Sequence, residues 1–165
     1  MKLENLRDLF FETIMDLYSA ETQTMDAFPL LIEKVSDPRL KEALQTHLKK
    51  TQAQRDRLEE ICEKLDIDPD DKYCKATEGL IKEAKELLAE DALPEVLDAG
   101  IIAVAQKIEH YEIAGYGTAK VFARHLGESD VQSLLEITLD EEKDSDALLT
   151  QIAENSVNRK ADGGD

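Results

Sequence analysis

Six residues stand where helical neighbours are apolar: Glu21, His47, Glu109, Glu112, Glu142 and Asp146. The stretch KIEHYEIAGYGTA, Lys107 to Ala119, shows the pattern most clearly, with Glu109 and Glu112 on a face flanked by Ile and Ala. Residues three apart on a helix lean the same way. An unpaired carboxylate in a core costs roughly several kcal/mol, and several carboxylates at one level repel each other. A divalent cation removes both penalties. Acids from separate helices meeting at one height therefore form a pattern for one or two metal ions, with a histidine or water filling in. Oxygen-rich donors suit iron or manganese and do not exclude magnesium or calcium. The plainer alternatives are a Glu on a stripe edge that reaches solvent, or a structural hydrogen-bond network. Glu141 and Glu142 are adjacent, so the pattern leaves open which faces inward. Asp146 also has an edge reading, and His47 has a hydrogen-bonded core reading.

The elements that must position these groups are helices. The first runs from about Leu3 to Val35, with a stripe of Leu3, Leu6, Phe10, Ile14, Leu17, Glu21, Met25, Phe28 and Ile32. Pro29 lies inside it, at a position that can bend the last turns. Asp37 is placed to cap the second helix, Pro38 to Leu65, with Pro38 at its first position. That helix carries Leu40, Leu44, His47, Thr51, Gln54, Leu58, Ile61 and Leu65, so three successive inward positions are polar. A shorter helix lies within Cys74 to Glu90. A third long helix spans about Pro94 to Arg124, and Gly127 sits past its end. A fourth spans about Ser129 to Val157, with Val131, Leu134 or Leu135, Thr138, Glu142, Ser145, Leu149 and Ile152 inward. Residues 1–158 are expected to form one domain and 159–165 a flexible tail.

Tight turns make the first and second helices antiparallel neighbours, and likewise the third and fourth. The long middle connection can travel the length of the molecule. The expectation is an all-α, ferritin-like four-helix bundle with one long crossover containing a short fifth helix. Residues equidistant from a hairpin turn lie at one height. Thr51 is then level with Glu21, with His47 and Gln54 within roughly 5–7 Å, and Glu142 and Asp146 face Glu109 and Glu112.

The composition agrees. Of 165 residues 42% are hydrophobic and 35% charged, with only seven Gly and four Pro. The net charge of −17 repels nucleic acid and anionic membrane surfaces and attracts cations. No apolar run has membrane-spanning length, and the N-terminus lacks a signal-peptide pattern. Cys62 and Cys74 lack a CxxC spacing and read as free thiols, so a cytoplasmic location is expected.

The segments LRDLFFETIMDLYSAETQ, HLKKTQAQRDRLEEI, CKATEGLI, IEHYEIAGYGTA and LDEEKDSDALL resemble the YciE/YciF type of ferritin-like bacterial proteins. The resemblance follows the order of the segments over almost the whole chain. It implies a ferritin-like bundle, a homodimer, a stress-associated cytoplasmic setting and a metal site, without a settled reaction. Rubrerythrin-like sites use Glu on the first helix, Glu-x-x-His on the second, two Glu at i, i+3 on the third and Glu-x-x-His on the fourth. Glu21 matches the first element, and Glu109 with Glu112 the third. Glu142 matches the fourth, but Ser145 replaces the histidine. The second helix offers His47-Leu48-Lys49-Lys50 and no Glu-x-x-His. These departures suit one Fe or Mn ion, or an asymmetric pair.

Tyr18 and Tyr116 are candidate proton donors beside such a site. His110 reads as an edge residue and His125 as a helix-end residue. Gly115 and Gly117 mark a packing or dimer seam. The leading functional reading is a stress-related redox or iron-handling protein. The alternative is a non-enzymatic stress or scaffold protein on the same frame, and a storage cage ranks third.

Overall fold

The computed structural model describes residues 2–164. Helix α1 (Leu6–Lys34) begins where Asn5 and Asp8 form a capping box. The Asn5 side chain accepts from the Asp8 N–H at 3.1 Å, and the Asp8 carboxylate accepts from the Asn5 N–H at 3.2 Å. This cap stops the helix three residues short of the expected start and leaves Leu3 outside the stripe, 54% exposed. Helix α2 (Pro38–Leu65) starts on Asp37, which accepts from the Arg39 and Leu40 N–H groups at 2.9 and 3.3 Å. The crossover holds α3 (Lys75–Leu88), whose N-cap is the buried Cys74. Helix α4 (Pro94–Leu126) ends at Gly127, whose φ of 78° is the left-handed conformation glycine adopts freely.

Helix α5 (Ser129–Ile152) widens into one π turn, Ala153–Val157, before α6 (Asn158–Ala161). Helical structure thus continues past the expected domain boundary at residue 158. Lys160 anchors it through a 2.9 Å ion pair with Asp37.

Around the bundle the order is α1, α2, α5, α4, with α3 lying against α1 and α4. The interior divides into two apolar cores. One, toward the α1–α2 turn, contains Phe28, Leu31, Leu40, Leu44, Ile101 and Ile108. The other, toward Gly127, contains Phe10, Ile14, Leu17, Leu58, Ile61 and Leu135. Asp98 of α4, 2% exposed, fixes the first pole. It accepts from the Ser36 and Asp37 N–H groups at 2.8 Å each and from the Ser36 hydroxyl at 2.5 Å. No helix is long and apolar enough to cross a membrane among the described residues.

Candidate metal centre

Between the two cores lies a polar layer. Glu21 comes from α1, His47 from α2, Glu109 and Glu112 from α4, and Glu142 from α5. The four glutamates have no exposed surface, and His47 is 3% exposed. His47 Nδ1 lies 3.5 Å from Glu109 Oε1, and Nε2 lies 4.0 Å from Glu142 Oε2. One donor atom from each of these three residues falls within 4.8 Å of the others. The His47 ring stacks on Phe28, with centroids 5.0 Å apart, which fixes its plane.

Three of the four glutamates each have one neutral partner. The Tyr116 hydroxyl donates to Glu21 Oε1 at 2.6 Å. The Thr24 hydroxyl donates to Glu112 Oε1 at 3.2 Å, and the Gln54 amide to Glu142 Oε1 at 2.6 Å. Seven polar atoms of the five residues still have no hydrogen-bond partner among the described residues: Glu21 Oε2, both His47 nitrogens, both Glu109 oxygens, Glu112 Oε2 and Glu142 Oε2. The great majority of buried polar groups in folded proteins are paired, so this concentration sets the layer apart from an ordinary core.

The electrostatics carry the same strain. Burial, then the neighbouring Glu142 and Asp146 charges, pushes Glu109 up to about 9. Burial also raises Glu142 to about 7, against the Gln54 hydrogen bond, the neighbouring Glu112 carboxyl and the Lys50 charge. Glu21 and Glu112 rise well above the usual carboxylate range, first through burial and then through neighbouring carboxylates. Burial, aided by Lys50, drives His47 down to about 4, so the imidazole is neutral near pH 7. A neutral imidazole among acids held protonated is a donor set that a cation can ionise and occupy. The residues fit a hard or borderline divalent metal.

The structure brings together five of the six expected residues and resolves the Glu141/Glu142 ambiguity in favour of Glu142. Asp146 lies at the rim of α5 instead, 23% exposed, where it accepts from the Gln106 amide at 3.0 Å and faces His110 Nδ1 at 3.4 Å. Of the two tyrosines, only Tyr116 reaches the layer. The Tyr18 hydroxyl turns outward and donates to Glu59 at 3.0 Å. Gly115 admits Leu17, whose Cδ2 would lie 2.7 Å from an added Cβ, while Gly117 meets open space. Sequence reasoning overlooked Thr24, Arg57 and the role of Glu141. Arg57 holds both oxygens of Glu141, at 3.1 and 3.3 Å. Arg57 sits at the edge of the α2 stripe, beside Leu58, where periodicity carries no signal of its partner.

Four long helices, α1, α2, α4 and α5, closing a bundle around a carboxylate–histidine layer with α3 in the crossover, define a ferritin-like protein. The chain belongs to the family described as Domain of unknown function (DUF892), which matches residues 5–162. It is 40% identical over 163 residues to Protein YciF of Escherichia coli (strain K12), covering 98% of each chain. The crystal structure of that E. coli stress protein superposes with a TM-score of 0.91 at 40% identity, over 95% of this chain and 99% of the other. YcfI from Rhodopseudomonas palustris gives 0.89 at 41% identity, over 92% and 97%. A Xanthomonas campestris protein at 21% identity, with a TM-score of 0.74 over 96% and 97%, shares the fold.

Proposed function

We propose that the chain is a stress-related protein that holds one or two iron or manganese ions in its bundle core, in a redox or iron-handling role. The observation that carries this is the set of seven bare donor atoms on five sealed side chains. His47, Glu109 and Glu142 would hold one ion. Glu112 and Glu21, both neighbours of Glu142, would share it or hold a second. A bound iron or manganese ion supplies one-electron exchange with oxygen or peroxide.

The chain's own residues prepare that place. Tyr116 keeps a proton within 2.6 Å of Glu21. Gln54 orients Glu142 and Thr24 orients Glu112. The two apolar cores above and below exclude water. Likeness to a stress protein supports the physiological setting, and two free thiols support a reducing cytoplasm. The family resemblance supports a homodimer, which light scattering would measure.

The test is elemental analysis of protein purified without added metal and then exposed to Fe(II) or Mn(II). Uptake of one or two equivalents is expected, and an anomalous map should place density between Glu21, His47, Glu109, Glu112 and Glu142. Less than about 0.1 equivalent, with no uptake, ends the reading. The scaffold alternative draws on the three neutral hydrogen bonds that already reach the layer. It requires Glu112→Ala to leave both stability and metal content unchanged.

A further inference from the structure

The five converging side chains are sealed, so an ion must reach them through a seam between helices. The α1/α4 seam is shut by Leu17 lying against Gly115. On the α1/α2 side, Phe28 covers His47 and Thr51 is fully buried. The α4/α5 seam is polar, but Gln106, His110 and Asp146 bond one another there and no layer residue.

The α2/α5 seam differs. One nitrogen, Gln54 Nε2, lies 2.6 Å from the buried Glu142 Oε1 and 3.2 Å from Oε2 of Glu141, whose side chain is 29% exposed. Among the described residues this is the one hydrogen-bonded path from the layer to a solvent-reaching carboxylate. The other end of the same amide, Gln54 Oε1, is buried and has no partner. Arg57, one turn along α2, grips both Glu141 oxygens and also donates to the Thr138 hydroxyl. The remaining seam cation, Lys50, is half-buried one turn the other way.

On the metal-binding reading, we infer that the α2/α5 seam is the entry port for the divalent cation, with Glu141 as the receiving carboxylate and Arg57 as its closure. A carboxylate held bidentately by guanidinium is neutralised and immobile. A dication arriving at Glu141 replaces the guanidinium as its counter-charge. Turning over of the Gln54 amide, whose Oε1 has no partner to lose, then exchanges the N–H donor between Glu141 and Glu142 for an oxygen acceptor. Glu141 receives the ion without keeping it. Its loss therefore alters how fast the layer fills and leaves the final occupancy unchanged.

The experiment mixes metal-free full-length protein with Co(II) in a stopped-flow instrument, follows the cobalt absorbance, and measures ions bound at equilibrium separately. Glu141→Gln should slow uptake about tenfold, the scale on which a local charge changes an on-rate. Arg57→Gln should speed it by about fivefold, and Arg57→Lys, which keeps charge but loses the bidentate grip, should fall between. Asp146→Asn, on the other polar seam, should stay within about twofold of the unaltered protein, its charge reaching Glu109 only through space, and equilibrium occupancy should be the same in all four variants. Rates within about twofold of the unaltered protein for both Glu141→Gln and Arg57→Gln, at full occupancy, overturn the port and leave the metal site standing. So does slowing by Asp146→Asn alone. Failure of the unaltered protein to bind Co(II) at all overturns the metal site and the port together.

Discussion

The Tyr116 hydroxyl lies 2.6 Å from Glu21 Oε1, and neither side chain has any exposed surface. This bond joins α4 to α1 through the centre of the bundle. Among the described residues it is the one hydrogen bond the Glu21 side chain makes, since Oε2 is bare. Tyr116→Phe keeps the ring and removes the donor. In metal-free protein it should cost about 1–3 kcal/mol, the penalty for stranding a buried acceptor, read from the urea midpoint. An unchanged midpoint would mean that water enters the layer and replaces the hydroxyl.

Acidity in the layer makes stability depend on pH in a defined direction. An unfolded glutamate releases its proton near about 4.3. In the fold Glu142 keeps its proton to about 7 and Glu109 to about 9. Between these values the native state binds more protons than the unfolded chain. The stability they contribute is therefore complete below about pH 4.3 and is lost as pH climbs through 7 and then 9. His47 acts oppositely. Its value of about 4 lies below the unfolded one, so its contribution is complete above about 6.5 and disappears as pH falls through 4. Metal-free protein should have a lower urea midpoint at pH 9 than at pH 6.

Loading with metal should reverse that trend, because the ion competes with the same protons. Calorimetry at pH 7 in buffers of different ionisation enthalpy should show roughly one to three protons released per ion. Zero release would contradict carboxylate ligation.

Glu112→Gln separates a metal centre from an inherited hydrogen-bond network. The amide preserves shape and can still accept from Thr24. It removes one of the mutually repelling acids, so the metal-free protein should be unchanged or more stable by about 1 kcal/mol. Co(II) or Mn(II) bound at equilibrium should fall by at least half. Full occupancy in the variant would remove Glu112 from the donor set.

Much of this arrangement could be read in the residue order, and the boundary of legibility has a physical cause. Glu21, Glu109, Glu112 and Glu142 interrupt apolar stripes, and periodicity reports which face a residue occupies. All four are buried. Periodicity has little to say about stripe edges, where a small rotation decides between core and rim. Asp146 went to the rim for that reason, and Glu141 and Arg57 showed no sign of meeting across a seam. Tyr18 was misplaced similarly, its hydroxyl drawn outward to Glu59. The start of α1 depended on a local competition, in which the Asn5–Asp8 box outweighed one more apolar residue at Leu3. Asp98 reads as an ordinary surface acid in the first turns of a helix, because the backbone donors that bury it belong to a turn about sixty residues away.

Asp98→Ala should strand the Ser36 and Asp37 N–H groups together. A cost of about 3 kcal/mol is expected, larger than for a typical surface acid. Hydrogen exchange should show those two amides losing protection ahead of the helix centres. If protection and urea midpoint both stay the same, the clasp contributes nothing.

That clasp also works as the zero mark of a ruler. Glu21 lies fifteen residues back along α1 from Ser36, and Glu112 lies fourteen residues forward along α4 from Asp98. At 1.5 Å per residue the two distances are roughly 22 and 21 Å, so a fastening at one tip brings two distant carboxylates to one height. Inserting or deleting a single residue on either stretch would turn its acid about 100° away from the axis, so the length of each rod is as much a part of the centre as the acid it carries.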